Sequence, residues 1–185
     1  MNMRPDLYLM RHGETFWNVE GRLQGACDSA LTPKGIEQAA RQALIVADIS
    51  GRCVSSPQGR ARQTAERVFG AREWSVDARL AEIGIGGFAG RLLPDVQAAH
   101  PHLFHGPPLD WYDHCPQGEG LDALADRCRR FLDDLDGPAL VVTHGITLRM
   151  LRVLALGLTV RQLADKDMAQ GVVYKVHRGL CETLR

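Results

Sequence analysis

The sequence has no excess of charge of either sign. Lysine and arginine together number 22, and so do aspartate and glutamate, so no overall field would attract nucleic acid or an anionic membrane. It also has no apolar run of the length that crosses a membrane and no secretory apolar region near residues 1–5. We therefore expect a cytoplasmic protein without a nucleic-acid or membrane partner, in which any anion is bound by local arginines.

Paired cysteines are missing as well. The five cysteines have neither the close spacing of a zinc or redox motif nor the density of a disulfide-stabilised fold, and they are Cys27, Cys53, Cys115, Cys128 and Cys181. We interpret them as reduced structural thiols. Linkers, internal repeats and low-complexity segments are also absent, and 185 residues can bury a substantial core. The chain is therefore expected to form one domain over residues 1–185.

Two short apolar segments predict buried strands that end in histidine and glycine. Residues 7–10 are followed by Arg11-His12-Gly13, and residues 139–143 by His144-Gly145; such short apolar runs are typical of buried strands. If the strands are parallel neighbours, the two histidines meet at the sheet edge where α/β folds bind ligands. The helix after Gly145 would present free N–H groups there, which suit phosphate. The alternative is two unrelated structural histidines.

Helical patterns occupy much of the remaining chain. Thr32 is a suitable N-cap and Pro33 suits the first helical position, followed by apolar residues at helical spacing, which are Ile36, Ala39, Ala40, Ala43, Leu44 and Ala47. Further helices are predicted after Pro57, over 121–135 and over 146–158.

The other segments predict strands or irregular structure. A strand is expected at 52–55, and a final strand at 171–176 is placed at a sheet edge, where it could pair with a second copy across a two-fold axis. Residues 16–31 predict an ordered loop. Residues 84–120, rich in glycine and proline, predict a lid-like insertion with a short helix near 94–100. The order of elements favours a three-layer α/β sandwich whose mostly parallel sheet has helices on both faces.

Four blocks of sequence carry a more specific signal. The blocks, which run in order from residue 6 to about residue 157, are Arg11-His12-Gly13-Glu14-Thr15 with Asn18, Gln24-Gly25 and Gln38-Ala39; Ser56-Pro57 with Arg60-Ala61; Leu80 and Glu82 with Gly86 and Gly90; and Val142-Thr143-His144-Gly145. Together they resemble the histidine phosphatase superfamily, also called the phosphoglycerate mutase-like family. The resemblance implies the phosphoglycerate mutase-like fold and phosphoryl-transfer chemistry.

The resemblance also implies roles for individual residues. His12 corresponds to the histidine that attacks phosphorus and becomes a phosphohistidine. Arg11 and Arg60 correspond to the arginines that grip the phosphoryl oxygens, and His144 to the second histidine of the same pocket. Glu82 corresponds to the acid that protonates the leaving oxygen and then activates water, a role for which burial among apolar neighbours is expected to raise its pKa.

Further contacts follow from the same blocks. Asn18, Gln24, Gly25 and Gly145 are expected to touch the phosphate or the substrate. The family chemistry uses no metal or other cofactor, and we expect none here. The histidines at 100, 102 and 105 lie beside Pro101 with no carboxylate or thiolate at a ligand spacing, so a solvated loop is favoured over a zinc site, although a contribution of this loop to substrate binding stays open.

The segment after Glu82 departs from the pattern of the family's mutases, and this segment distinguishes a mutase from a phosphatase. The true mutases follow the acid with a segment that contains arginine and tyrosine and carry a longer insertion with further cations, whereas here Glu82 precedes Ile83-Gly84-Ile85-Gly86. We therefore predict hydrolysis of a small phosphorylated metabolite. A cofactor-dependent phosphoglycerate mutase and an inactive phospho-ligand-binding protein are the alternatives. Gln58 also stands where the family usually has leucine.

Overall fold

A six-stranded mixed sheet organises residues 5–185, which are the residues that the computed structural model describes. Its strands are β1 (Leu7–Arg11), β2 (Arg52–Ser55), β3 (Ser75–Val76), β4 (Ala139–Thr143), β5 (Val173–His177) and β6 (Leu180–Leu184). The spatial order is β3-β2-β4-β1-β5-β6. The first four strands are mutually parallel, whereas β5 is antiparallel to β1 and to β6. The predicted α/β fold with a mostly parallel sheet is confirmed.

Helices cover both faces of this sheet. They are α1 (Phe16–Glu20), α2 (Pro33–Val46), α3 (Gly59–Phe69), α4 (Leu93–Ala99), α5 (Leu121–Asp133) and α6 (Gly145–Ala155). Alternate strand residues point to opposite faces. Leu9 and Val141 therefore pack with α4, α5 and α6, while Met10 and Val142 pack with α2 and α3 on the other side. These two cores make the three layers that the sequence predicted.

The buried face of α2 is not the one that the apolar periodicity predicted. Thr32 caps the helix as expected, because its Oγ1 accepts from the Gly35 N–H at 3.0 Å. However, Ile36 and Leu44 are 41% and 79% exposed. The inward residues include Gln42, whose Nε2 donates to the backbone oxygens of Arg11 and Val172, each at 3.0 Å. A polar side chain therefore faces the sheet because it satisfies backbone groups there.

Close backbone packing fixes the same orientation. Gly35 lies so near the strand-end loop that a Cβ atom on it would sit 2.1 Å from the Glu14 backbone oxygen. Only a residue without a side chain fits this approach. The helix is thus rotated by contacts with the loop after β1 rather than by the distribution of its apolar residues.

The prediction of an edge strand at 171–176 is wrong, because β5 lies between β1 and β6. Residues 178 and 179 both have positive φ, 49° and 77°, as a two-residue hairpin turn requires, and they return the chain as β6. The sequence pattern missed β6 because its side chains are only partly buried. A two-fold pairing through residues 172–176 is therefore excluded, and a homodimer stays a prediction without that route.

Two stretches that were predicted to be largely irregular contain short helices, one unexpected and one expected. Residues 16–31 include the helix α1, which begins with a capping box in which Thr15 Oγ1 accepts from the Asn18 N–H and Asn18 Oδ1 accepts from the Thr15 N–H. The expectation of a loop throughout this stretch is therefore wrong. The short helix expected near 94–100 is confirmed as α4. Short 3₁₀ turns at 86–88, 101–104 and 110–114 flank it. No helix within residues 5–185 is long and apolar enough to cross a membrane.

Candidate active site

The ends of β1 and β4 bring His12 and His144 together. The two strands are adjacent and parallel with Arg11 opposite Thr143, and the His12 N–H donates to the Thr143 backbone oxygen at 2.9 Å. The ring centroids are 5.2 Å apart, with the ring planes tilted by 58°. Both side chains are almost fully buried. The predicted meeting of the two histidines at one sheet edge is confirmed.

The hydrogen bonds of His12 fix which nitrogen carries its proton. Nδ1 lies 2.7 Å from the Gly13 backbone oxygen, and because a carbonyl only accepts, Nδ1 must be the protonated nitrogen. Nε2 therefore carries the lone pair of the ring, and it accepts a hydrogen bond from Arg60 Nε at 3.3 Å. Burial, followed by the charges of Arg11 and Arg60, holds the pKa of His12 well below its usual range. The ring is thus neutral at physiological pH and its Nε2 can act as a nucleophile.

His144 has the same Nδ1-protonated tautomer, but a different partner fixes it. Its Nε2 is 2.6 Å from Ser56 Oγ, and that hydroxyl already accepts from the Gln58 N–H at 3.3 Å. Among the described residues, Nε2 is the acceptor that this hydroxyl reaches, so the hydroxyl proton is assigned to Nε2 and the ring proton to Nδ1. Nδ1 is buried without a partner among the described residues. Burial, then the charge of Arg60, lowers the pKa of His144 well below its usual range.

Arg60 is the cation most deeply fixed in the site, with 1% of its surface exposed. Nη1 donates to the Cys27 backbone oxygen and to Asp28 Oδ1 at 2.7 and 2.8 Å, and Nη2 donates to the Gly25 backbone oxygen at 3.0 Å. Burial lowers its pKa. Arg60 lines the cavity, whereas Arg62, two residues further along the helix, is exposed.

Arg11 approaches the same site from β1. Its Nη1 donates to the Met168 backbone oxygen at 3.1 Å, while its Nε is buried without a partner among the described residues. Burial lowers its pKa, against the opposing charge of Glu82. A guanidinium with a free N–H in a buried cationic site favours an anionic ligand.

Glu82 lies at the N-terminus of α6. Its carboxylate accepts from the N–H groups of Ile146 and Thr147 at 3.2 and 3.1 Å and from the Ile83 N–H at 3.0 Å, and Thr147 Oγ1 lies 3.1 Å away. A helix N-terminus favours such an acceptor. The N–H groups of Ile146 and Thr147 thus bind Glu82, so the prediction that they stand free for phosphate is wrong. The carboxylate has these backbone donors in addition to the expected apolar neighbours Ile83 and Ile85.

All the predicted site residues except His144 line one cavity of about 130 Å³. Its walls are formed by residues from across the chain, namely Arg11, His12, Asn18, Arg22, Leu23, Gln24, Gly25, Arg60, Glu82, Ile83, Ile85, Tyr112, Gly145, Ile146 and Met168. Gln24 donates to Thr15 Oγ1 at 3.0 Å and keeps its Oε1 buried and unpaired among the described residues. His144 lies behind His12 and is fully buried.

Several contributors to the site were missed by the sequence reasoning. Asp28 accepts from the N–H groups of Gly59 and Arg60 as well as from the Arg60 side chain. Ser56 holds His144, and Gln170 donates to the His12 backbone oxygen at 3.0 Å. Tyr112 lines the cavity, and burial raises its pKa. Ser56 stands in one of the recognised blocks, but nothing in its spacing indicated this contact.

The histidine-rich loop lies away from this cavity. The His100 ring packs on Phe88 with centroids 5.2 Å apart and approaches the His102 ring edge-on. Within residues 5–185, no three histidine, cysteine, aspartate or glutamate side chains converge as metal ligands would. The five cysteines are all unpaired, as predicted.

The fold and site are those of a phosphoryl-transfer enzyme, and the comparison with known families agrees. Residues 7–182 match the model of the histidine phosphatase superfamily, branch 1, and the chain belongs to this family.

Individual relatives have different names. The chain is 38% identical over 162 residues to "Probable phosphoglycerate mutase GpmB" of Erwinia tasmaniensis, covering 82% of this chain and 75% of that protein. Among solved structures, it resembles YhfR of Bacillus stearothermophilus with a TM-score of 0.81, 32% identity and coverage of 96% and 94%. It also resembles the alpha-ribazole phosphatase of Shigella flexneri with a TM-score of 0.82, 28% identity and coverage of 97% and 94%.

Proposed function

We propose that this protein hydrolyses a phosphomonoester of a small metabolite through a phosphohistidine on His12. The observation that carries the proposal is the fixed tautomer of His12: its Nδ1 is bound to the Gly13 carbonyl, so the lone pair of Nε2 faces the arginine-lined cavity. A buried neutral imidazole beside two guanidinium groups is suited to attack a bound phosphoryl group.

In the first half of the reaction, His12 Nε2 forms a bond to phosphorus as the bond from phosphorus to the leaving oxygen breaks. Negative charge on the transferring oxygens is received by Arg11, by Arg60 and by the Nδ1–H of His144. Removal of one such donor typically costs about 10²–10³ in rate. Asn18, Gln24, Gly25 and Gly145 would supply further contacts; because the Gly25 carbonyl already accepts from Arg60, its N–H is the group left for phosphate.

Glu82 is proposed as the general acid and then the general base. Protonated Glu82 gives its proton to the leaving oxygen in the first half. In the second half, the carboxylate takes a proton from water, the water oxygen bonds to phosphorus, and the bond from phosphorus to His12 breaks. Three backbone N–H bonds to the carboxylate keep it directed at the cavity, since they come from two different backbone segments, at Ile83 and at the start of α6.

The residues of segment 84–120 that face the cavity favour hydrolysis over the isomerisation that a phosphoglycerate mutase catalyses. Within that fully described segment, the cavity is lined by Ile85 and Tyr112, neither of which is cationic, whereas a mutase needs cations there to retain its product. Water would reach the phosphohistidine. The names of the curated relatives favour the mutase instead, so it stays the second candidate.

The test is phosphate release from a panel of phosphorylated metabolites and from 4-nitrophenyl phosphate. The wild type should release phosphate without added metal, and so should the control variant His105→Ala, because His105 is an exposed loop residue. His12→Ala should release none. A mutase would isomerise 3-phosphoglycerate with a bisphosphoglycerate primer and release little phosphate. Binding of phosphorylated ligands without either reaction would indicate the inactive binding protein. A cytoplasmic location and independence of metal are part of the proposal.

A further inference from the structure

Gln58 joins two segments of the site that are far apart in the sequence. Its Nε2 donates to the Gly25 backbone oxygen at 2.7 Å, and its Oε1 accepts from the Glu82 N–H at 2.8 Å. Both ends of one side-chain amide are thus used, one on the loop that faces the phosphate and the other on the backbone of the proposed acid.

Other bonds hold the segment before Glu82, but on the opposite side. Thr143 Oγ1 donates to the Leu80 backbone oxygen and Thr147 Oγ1 to the Ala81 backbone oxygen, each at 2.7 Å. These bonds attach the segment to β4 and α6. The amide of Gln58 attaches the segment that contains Glu82 to the loop at Gly25. Arg60 Nη2 also donates to the Gly25 backbone oxygen, at 3.0 Å.

Leucine, the usual residue of the family at this position, can make neither bond. It would leave the Glu82 N–H without this acceptor, whereas the Gly25 oxygen would still have Arg60. An unpaired backbone N–H in a partly buried site is costly, so a chain with leucine here must hold its acid in another way.

We propose that Gln58 is a positioning residue that sets where the Glu82 carboxyl stands relative to the phosphoryl group. The inference rests on the proposed function, because it assigns Gln58 to the acid step of that reaction. Gln58 itself does not line the cavity that would hold the phosphoryl group. Its loss should therefore matter most where the leaving group needs a proton.

The leaving group separates this role from a merely structural one. Benzyl phosphate expels an alkoxide and depends on the acid, whereas 4-nitrophenyl phosphate, of similar size, expels a stabilised phenolate and depends on it little. In Gln58→Leu and in Gln58→Met, which keeps the length of the side chain, kcat/KM should fall about tenfold for benzyl phosphate, a fraction of the roughly 10²–10⁴-fold that general acid catalysis supplies. For 4-nitrophenyl phosphate the fall should stay within about threefold.

The matched control is Gln63→Leu on the same helix, because Gln63 Oε1 accepts from the Leu31 N–H and does not reach Glu82. This variant should keep the wild-type ratio of the two esters. Thermal unfolding of every variant confirms that it is folded under the assay conditions. Equal losses for the two esters, or no loss for either, in a folded Gln58→Met variant would overturn the proposal.

Failure of the proposed function is distinguishable from failure of this inference. If the wild type hydrolyses neither ester, the reaction is wrong, and hydrogen exchange at the Glu82 amide then tests the contact alone. Exchange about tenfold faster in Gln58→Met than in the wild type would support the link. Unchanged protection of that amide would overturn it.

Discussion

The rings of His12 and His144 face each other with centroids 5.2 Å apart, and each has one nitrogen fixed by a different partner. The Gly13 carbonyl holds the proton on Nδ1 of His12, while the Ser56 hydroxyl directs the proton of His144 to its Nδ1. One ring thus offers a lone pair and the other an N–H. This complementary pair, in a site with two buried arginines, is the basis of the proposed attack on phosphorus.

The hydroxyl of Ser56 should therefore control His144 without touching substrate. In Ser56→Ala, the His144 ring loses its only described partner at Nε2 and can take either tautomer. We expect kcat to fall about tenfold to a hundredfold, with a smaller change in KM. This fall is less than the full cost of losing one donor to the transferring group, because the His144 ring stays in place. The control is Ser75→Ala on the exposed strand β3, which should match the wild type in steady-state kinetics.

Asp28 should position Arg60. Its two carboxylate oxygens accept from two backbone N–H groups of α3 and from Arg60 Nη1, and Asn would turn an amide N–H toward one of these donors. We expect Asp28→Asn to lower the free energy of unfolding by about 1–3 kcal/mol and to weaken binding of inorganic phosphate. Urea unfolding and calorimetry measure these changes.

The matched variant for Asp28 is Asp126→Asn, whose ion pair with Arg129 is exposed. Such surface pairs contribute little, so this variant should unfold and bind phosphate like the wild type. Equal effects of the two substitutions would contradict the assignment.

The two buried histidines predict loss of stability in acid. Burial lowers the pKa of both well below 6.5 in the folded state, whereas in the unfolded chain they titrate near their ordinary value. Below that value the unfolded state binds more protons, so the free energy of unfolding falls as the pH falls. The slope is up to about 1.4 kcal/mol per pH unit for each histidine.

Urea titrations from pH 7.5 to pH 5 measure that slope. His12→Gln and His144→Gln should each make it shallower by up to about 1.4 kcal/mol per pH unit. His105→Gln, in an exposed loop residue, should leave it unchanged. A slope that none of the three substitutions alters would show that other groups govern the acid sensitivity.

The sequence predicted best where a short motif and a strand end coincide. His12 and His144 follow directly from buried strands, so their positions depend on local structure and on the parallel pairing of β1 with β4. Their clustering could be predicted before any side chain was placed. The family resemblance then added Arg60 and Glu82, and the position of Glu82 depends on contacts made across the fold.

The predictions that failed depend on contacts between distant segments. Gln42 turns α2 because two backbone oxygens need its amide, and an apolar periodicity cannot report that. Glu82 occupies the N–H groups of α6, although nothing near residue 82 indicates a helix that begins at residue 145. β6 was missed because a half-exposed strand carries no clear alternation of apolar residues.

The central claim is tested most directly by trapping the phosphohistidine. Glu82→Gln should form it normally from 4-nitrophenyl phosphate, which needs little protonation, and hydrolyse it slowly because the base is lost. After an alkaline quench, the variant should carry close to one acid-labile phosphoryl group per chain, which peptide mass spectrometry assigns to His12, and the double variant with His12→Asn should carry none. Phosphate on another residue, or rapid hydrolysis of substrate by His12→Asn, would contradict the account.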